Sequence, residues 1–201
     1  MTAENVPQTN SLTARSSLAL GLCLGRRWVG LALVSREHLV RALVLNLATT
    51  GSQRGRLRRF AAAVGTYLDA YGASRIAVVH RGELTDTPLT PERAWLAETA
   101  SLRGVPLADY AADTIRQAHV PAGTRRATTQ TLAEALAERF PELASRTPAA
   151  EGVPGADKVP ELARIGRRVI SPRARYWSWM FLALGSALHD LDEDVKSRLF
   201  T

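Results

Sequence analysis

Three apolar stretches separated by short turns follow a polar first segment. Residues 1–16 are rich in Thr, Ser, Asn and Gln and show no hydrophobic periodicity, which is typical of a disordered N-terminal tail. The apolar runs 18–24 and 28–35 are divided by a Gly-Arg-Arg turn, a spacing that predicts two paired strands. A third run at 40–47 extends this pattern. The chain is therefore predicted to open with an antiparallel sheet of three strands.

A helical period replaces the strand pattern after a Gly/Ser/Thr/Arg linker at 49–56. From Leu57 to Tyr71 apolar side chains recur at helical spacing, and the glycine that follows ends the predicted helix. The next predicted elements are a strand at 75–80, a helix at 91–102 and a strand at 105–110. A strand that follows a helix is expected to pair in parallel with the sheet. The predicted order is β-β-β-α-β-α-β.

The following segment is predicted to be helical. A short helix begins at 114–118, and a basic loop at 121–128 leads to a second helix at 129–140. Either Thr128 or Thr129 is suited to cap that second helix, because a threonine hydroxyl accepts a hydrogen bond from a free backbone N–H of the first turn.

Prolines mark a long interruption before the last helix. Five of the ten prolines fall within 141–172, which predicts an insertion with at most a turn of helix around 161–165. The last predicted helix covers 173–191. We expect one domain at 17–195 and a C-terminal tail at 196–201. The acidic residues that close the helix, and that we assign to a flexible tail or a basic partner, are Asp190, Asp192, Glu193 and Asp194.

Composition adds a charge bias to this α/β pattern. The chain has 201 residues, 46% of them hydrophobic, which is enough for one sizeable core. It carries a net charge of +7, with 24 arginines and two lysines. Arginine makes two-pronged hydrogen bonds to phosphate and guanine, so the bias favours a polyanionic partner, although it also accompanies GC-rich genomes. Nucleic acid is the expected partner.

Cys23 is the only cysteine of the chain. It cannot form an internal disulfide, and no cysteine or histidine pairing has the spacing of a zinc site. The longest apolar runs fall short of the roughly 20 residues that span a bilayer, and the first segment lacks the pattern of a signal peptide. We expect a cytoplasmic protein without a membrane segment.

Several short motifs resemble those of RuvC-type Holliday-junction resolvases. The first hairpin, with LGLCLGRR at 20–27 and VGLA at 29–32, is similar to the family's G-I-D-P-G strand and T-G-x-A strand. The stretch 104–118 resembles G-x-P-V-x-E-Y-x-P-x-x-V-K-x-A, and 125–130 follows it as G-R-A-x-K-x-Q does. The segment 182–184 lies where the family has its D-A-L-A-x-A helix. The resemblance implies an RNase H-like fold: a mixed five-stranded sheet flanked by helices.

The resemblance also implies a metal site that this sequence departs from. Nucleases of this family hold two Mg²⁺ ions with about four carboxylates, which stabilise both the attacking and the leaving oxygen. Cys23 stands at the position of the first-strand aspartate, His80 at that of the strand-end glutamate, and Trp179 where the last helix has its acids. A thiol is a poor magnesium ligand. We therefore expect no catalytic or metal-binding site and interpret the chain as a pseudo-nuclease without a cofactor.

An active nuclease with relocated acids is the alternative. Glu83, Asp86 and Asp109 follow predicted strands and would have to converge within bridging distance of Mg²⁺. Surface acids after strands are common, however, and most are merely solvated. For His80 and Cys23 the ordinary roles, a hydrogen-bonded histidine and a small buried hydrophobe, are the expected ones.

The remaining chemical signals are arginine clusters and an aromatic segment. In a resolvase-like fold the arginines of the hairpin turn, the first helix, the basic loop and the last helix are expected to approach DNA phosphates. They are Arg26, Arg27, Arg54, Arg56, Arg58, Arg59, Arg116, Arg125, Arg126, Arg167, Arg168, Arg173 and Arg175. The aromatic side chains Tyr176, Trp177 and Trp179 cannot all face one small core. Packing under the insertion, homodimerisation and base stacking remain open for them.

These patterns support three hypotheses. The first is a catalytically inactive RuvC-like protein that binds branched or duplex DNA in DNA repair or recombination. The second is an active Mg²⁺-dependent junction endonuclease with relocated acids. The third is a scaffold for assembly that does not bind DNA, in which the arginines are dispersed solvated charges.

Overall fold

The structure is a computed structural model. It describes residues 17–25, 27–47, 52–80, 90–121, 127–146 and 172–199. Everything below concerns these residues.

Five strands form one mixed sheet in the order β3-β2-β1-β4-β5. The strands are β1 (Ala19–Cys23), β2 (Trp28–Val34), β3 (Leu39–Asn46), β4 (Arg75–His80) and β5 (Leu107–Ala111). The first three are antiparallel neighbours, whereas β4 pairs in parallel with β1 and β5 pairs in parallel with β4. This is the mixed sheet predicted from the apolar runs, and each strand lies within two residues of its predicted position.

Helices cover both faces of the sheet. They are α1 (Gln53–Asp69), α2 (Pro91–Arg103), α3 (Ala112–His119), α4 (Thr129–Arg139) and α5 (Pro172–Leu199), with a short 3₁₀ helix at Pro141–Arg146. Of the two predicted N-caps for α4, Thr128 takes the role, and its hydroxyl accepts a hydrogen bond from the Thr131 N–H. The predicted turn at 161–165 lies outside the described residues.

Alternating strand residues divide the interior into two cores. On one face, Leu20, Leu22, Ile76 and Val78 pack under α1 and α2. On the other face, a second buried cluster that includes Ala19, Cys23 and Val79 packs under α3, α4 and α5.

Glycines bring α5 unusually close to the sheet. A Cβ atom on Gly21 would overlap the carbonyl oxygen of Ala183, and one on Gly30 would overlap the carbonyl oxygen of Trp179. Trp179 and Ala183 lie four residues apart on α5, which is about one turn of helix. The backbone of α5 therefore rests directly on β1 and β2, and its register over the sheet is fixed by the two glycines.

The last helix extends further than its apolar pattern predicted. It continues through the acidic cluster to Leu199, so residues 196–199 of the predicted tail are helical. The acids do not form a flexible segment: Arg75 donates to Asp190 Oδ2 at 2.7 Å and to Asp194 Oδ1 at 2.7 Å. Tyr110 also donates to Asp190 at 2.8 Å. Neutralisation by a strand residue lets the helix continue where sequence alone predicted its end.

The start of α1 also differs from prediction. The helix begins at Gln53, inside the segment assigned to a linker, because the Ser52 hydroxyl accepts a hydrogen bond from the Gly55 N–H and caps it. No helix among the described residues is long and apolar enough to cross a membrane.

Candidate nucleic-acid interface

Several of the residues named as candidates from the sequence lie at one edge of the sheet. The parallel strands β1, β4 and β5 end there, and the turn between β1 and β2 lies beside them. The Leu47 N–H donates to the Arg27 carbonyl at 2.8 Å, which brings the end of β3 to the same edge. The start of α1 lies there too, because Arg56 binds Glu92 in the first turn of α2, and the neighbouring Arg93 binds Asp109 of β5. We call this region the strand-end edge.

A group of neutral side chains, here called the Cys23 cluster, fills the centre of the strand-end edge. It consists of Cys23, Gly25, Val79 and Trp179. Cys23 and Val79 are register partners in β1 and β4, and both are fully buried. The Trp179 indole lies so close to Gly25 that a Cβ there would overlap the ring. An aromatic ring thus occupies the space beside the end of β1.

The Cys23 cluster does not fit the magnesium site that the resemblance implies. Mg²⁺ requires hard oxygen ligands, and the side chains present are a thiol, an isopropyl group and an indole. No acidic residue precedes Asp190 in the sequence of α5. Among the residues that the structure describes, no three His, Cys, Asp or Glu side chains are grouped to hold a metal ion.

The structure corrects the position assigned to His80. Side chains alternate along a strand, so Val79, the register partner of Cys23, shares its face of the sheet and His80 does not. His80 points to the opposite face, where α2 packs. The residue of β4 that lies beside Cys23 is therefore a valine, one position earlier than the motif comparison suggested.

His80 instead joins two charged residues, and we call the three the His80 cluster. The His80 Nε2 donates to Asp109 Oδ1 at 2.7 Å, and the Arg93 Nε donates to the same oxygen at 3.0 Å. Arg93 also binds Asp109 Oδ2 through Nη2. Burial alone would raise the pKa of Asp109, but the bonds from His80 and Arg93 outweigh it and lower that pKa to about 2.

Asp109, one of the three carboxylates that the relocated-acid hypothesis requires, is bound within the His80 cluster. The lone pairs of Asp109 face an imidazole and a guanidinium, and a metal ion would have to displace both. Glu83 and Asp86 lie outside the described residues. The convergence of the three acids is accordingly not observed in the described part of the chain.

Four of the predicted DNA-contacting arginines are exposed near the strand-end edge. Arg27 lies in the turn after β1, and Arg54, Arg58 and Arg59 lie in the first two turns of α1. The turn after β1 is bound to the end of β3 through the Arg27 carbonyl, and α1 is bound to α2 through Arg56 and Glu92.

Two other predicted contacts are held in ion pairs within the protein. Arg56 donates to both carboxylate oxygens of Glu92, at 2.7 and 2.9 Å, and Glu92 is only 3% exposed. Burial would raise the pKa of Glu92, but its bonds to Arg56 lower it. Arg116 pairs with Asp113 and donates to the Thr129 hydroxyl at 3.2 Å. Arg56 thus joins the N-terminal turns of α1 and α2.

The remaining predicted residues lie wholly or partly outside the described part of the chain. Arg26, Arg125, Arg126, Arg167 and Arg168 are outside it, and so are the side chains of Arg173, Arg175 and Tyr176. Trp177 and Trp179 are half-buried and pack against the core beneath α5. Packing accounts for part of the surface of these two rings, and dimerisation or stacking by the rest stays a prediction.

The residues that connect the elements of this edge are not apparent from the sequence. Glu92 and Arg93 lie in the first turn of α2, directly after the Thr90 cap and Pro91. The threonine and proline could be recognised in the sequence as the start of a helix. In the fold, that start lies next to the strand ends that Arg93 contacts. Their partners, Arg56 and Asp109, lie 36 and 16 residues away in sequence, which no local pattern reveals.

Comparison with solved structures identifies the fold. No protein-family profile and no curated protein sequence matches the chain. Thermus thermophilus RuvC matches at 18% identity over 87% of this chain and 97% of that one, with a TM-score of 0.53. The same protein in complex with a Holliday junction substrate matches at 18% identity, with a TM-score of 0.57 over 89% and 96% of the two chains.

A third similar structure is the yeast mitochondrial Holliday junction resolvase Ydc2. It is 13% identical over 92% of this chain and 83% of that chain, with a TM-score of 0.51. At these identities the similarity shows the fold. The predicted RNase H-like, RuvC-type arrangement, a mixed five-stranded sheet with flanking helices, is confirmed.

Proposed function

We propose that this protein binds branched DNA and does not cleave it. The observation that carries the proposal is the Cys23 cluster: a buried thiol, a valine and an indole occupy the end of β1, where the resemblance implies metal-binding carboxylates. Phosphodiester hydrolysis by the two-metal route needs those oxygen ligands to hold the ions that stabilise the attacking and leaving oxygens. We infer a pseudo-nuclease of the cytoplasm, acting in DNA repair or recombination.

Charge and fold support DNA as the partner. The chain carries +7 overall, and arginines supply nearly all of its positive charge. A fold shared with a protein solved on a Holliday junction makes junction DNA the first substrate to test. Exposed arginines on the turn after β1 and on α1 give the strand-end edge the charge that neutralises phosphates.

Binding of this kind is expected to be sequence-independent. Guanidinium contacts to phosphates release condensed counterions, so affinity falls steeply with salt. Shape then provides selectivity, because a four-way junction presents several duplex arms to one basic surface. The filled Cys23 cluster leaves this binding intact, since binding needs only the charged rim of the edge.

The surface is tested by removing two arginines that share one face of α1. In Arg54→Ala/Arg58→Ala, we expect the slope of log affinity against log salt on a four-way junction to become shallower by about 1.8, or about 0.9 for each lost phosphate contact. The control is Arg103→Ala, which removes an α2 arginine that pairs with Asp69. An unchanged slope in the double variant would exclude α1 from the interface.

Arg56 must be left in place in that experiment. Without the Arg56 guanidinium the buried Glu92 carboxylate would lose its opposite charge, and the fold would be destabilised by about 3 kcal/mol. That loss of stability would mask any effect on binding.

A further inference from the structure

A groove runs between the edge strand β3 and helix α1, on the face of the sheet that α1 covers. Its volume is about 200 Å³. The lining residues are Arg41, Leu43, Leu45, Ala63, Thr66, Tyr67 and Tyr71. The groove lies apart from the Cys23 cluster, because α1 and α5 pack on opposite faces of the sheet.

Alternation along β3 builds the floor of this groove. Arg41, Leu43 and Leu45 are two residues apart and share one face. The two leucines are half-buried against the core under α1, whereas Arg41 is exposed. The floor is therefore apolar and ends in a guanidinium.

Two tyrosines form the wall opposite the strand. The rings of Tyr67 and Tyr71 are stacked, with centroids 5.7 Å apart and planes 26° apart. Tyr67 is buried, but Tyr71 is 39% exposed and is one of the few large apolar side chains so exposed among the described residues. The stack thus holds the exposed ring on a buried support, which fixes its orientation at the rim.

The charges around the groove have one sign. No carboxylate lines it. Arg41 makes no ion pair with any residue that the structure describes. Burial raises the pKa of the Tyr67 hydroxyl, and the nearby positive charge of Arg41 offsets part of that rise. The one charged side chain that lines the groove is therefore positive.

We propose that this groove binds a single-stranded segment of nucleic acid, with one base stacked on Tyr71 and a phosphate held by Arg41. A groove of this volume is smaller than the ~300–1,000 Å³ of drug-sized ligand sites and suits one planar base. Positive charge beside a supported aromatic ring is the combination that binds single strands without sequence preference, and Arg41 and Tyr71 supply it here. The proposal rests on the proposed function and adds an unpaired strand to it, such as one exposed at a branch point.

The test measures binding of a fluorescein-labelled oligothymidylate by fluorescence anisotropy. Tyr71→Ala removes the ring and is expected to weaken binding about 10-fold, whereas Tyr71→Phe keeps the stack and the affinity. Arg41→Ala is expected to reduce the log–log salt slope by about 0.7. Arg103→Ala is the matched control for Arg41. Because Tyr71 and Arg41 are exposed, melting temperatures of the variants should stay close to that of the parent protein.

Junction binding in the same variants separates this proposal from the proposed function. If Tyr71→Ala binds oligothymidylate as well as the parent protein does, the groove proposal is overturned even where junction binding persists. If the parent protein binds no nucleic acid at all, both proposals fail. A change in sedimentation coefficient on Tyr71→Ala, with oligothymidylate affinity unchanged, would make the groove an interface between copies of this chain and would also overturn the proposal.

Discussion

Cys23, Val79 and Trp179 illustrate how three single residues change what one edge of a sheet can do. Cys23 and Val79 are fully buried, the Trp179 indole lies against Gly25, and none of the three offers a hard oxygen ligand to Mg²⁺. Removing carboxylates from such a position also removes repulsion between like charges. An edge without these carboxylates is therefore free of that repulsion.

At the residue scale, the motif comparison placed the β4 position beside Cys23 one residue too late. His80 was aligned with a metal ligand, yet a shift of one residue in a strand moves a side chain to the other face of the sheet. Motif letters do not reveal that parity, whereas the pairing of β1 with β4 does.

Asp109 provides a prediction at this scale. Its pKa in the fold is about 2, against an ordinary value of 3.8, so the charged form stabilises the fold at pH values above 3.8. That stabilisation, about 2 kcal/mol, is expected to be lost as the pH falls from about 4 through about 2. Urea unfolding at a series of pH values should show this loss in the parent protein and a flatter curve in Asp109→Asn.

The control for Asp109→Asn is Asp69→Asn, which breaks the more exposed pair with Arg103. It is expected to change the free energy of unfolding by less than about 1 kcal/mol at neutral pH. Equal acid sensitivity in Asp109→Asn and the parent protein would show that the His80 cluster does not contribute to stability.

At the scale of elements, apolar periodicity predicted every strand and helix of the first 110 residues in the right order. The boundaries that it missed have long-range or polar causes. The first turn of α1 is polar, so it carries no apolar signal, and only the Ser52 cap marks it. The last turns of α5 are acidic, and Arg75 compensates them from more than 100 residues away in sequence.

The close contact of α5 with the sheet gives a second prediction. Gly21→Ala would place a methyl group on the Ala183 carbonyl, so α5 would have to lift off β1. We expect a loss of at least about 3 kcal/mol in unfolding free energy, or no soluble folded protein. Circular dichroism and urea unfolding measure the change.

Gly65→Ala is the control for this substitution. A Cβ on Gly65 meets only the flexible end of Asp69 at 3.8 Å, and the residue lies inside α1. Alanine there is expected to stabilise the protein by about 0.5–1 kcal/mol, because glycine is a poor residue for a helix interior. If both variants had similar stability, α5 would not be held by the glycine contact.

For the whole molecule, the sequence predicted the fold and the positive charge but not the arrangement of the site. The arginines that pair with Glu92, Asp109 and Asp190 come from other elements, so the ion pairs exist only after the sheet and helices have assembled. The same holds for the groove, which needs β3 and α1 side by side. The proposed DNA contacts therefore fall to the arginines that remain at the surface after these pairs have formed.

Binding of branched DNA without cleavage is the proposed activity of this protein. The most direct measurement titrates the pure protein onto a four-way junction and a matched linear duplex in Mg²⁺ or Mn²⁺, and runs each sample on native and denaturing gels. We predict a shifted junction at lower protein concentration than the duplex, with full-length strands on the denaturing gel. Nicked strands that depend on the metal ion would contradict the account of the Cys23 cluster, and the absence of any shift would contradict DNA binding itself.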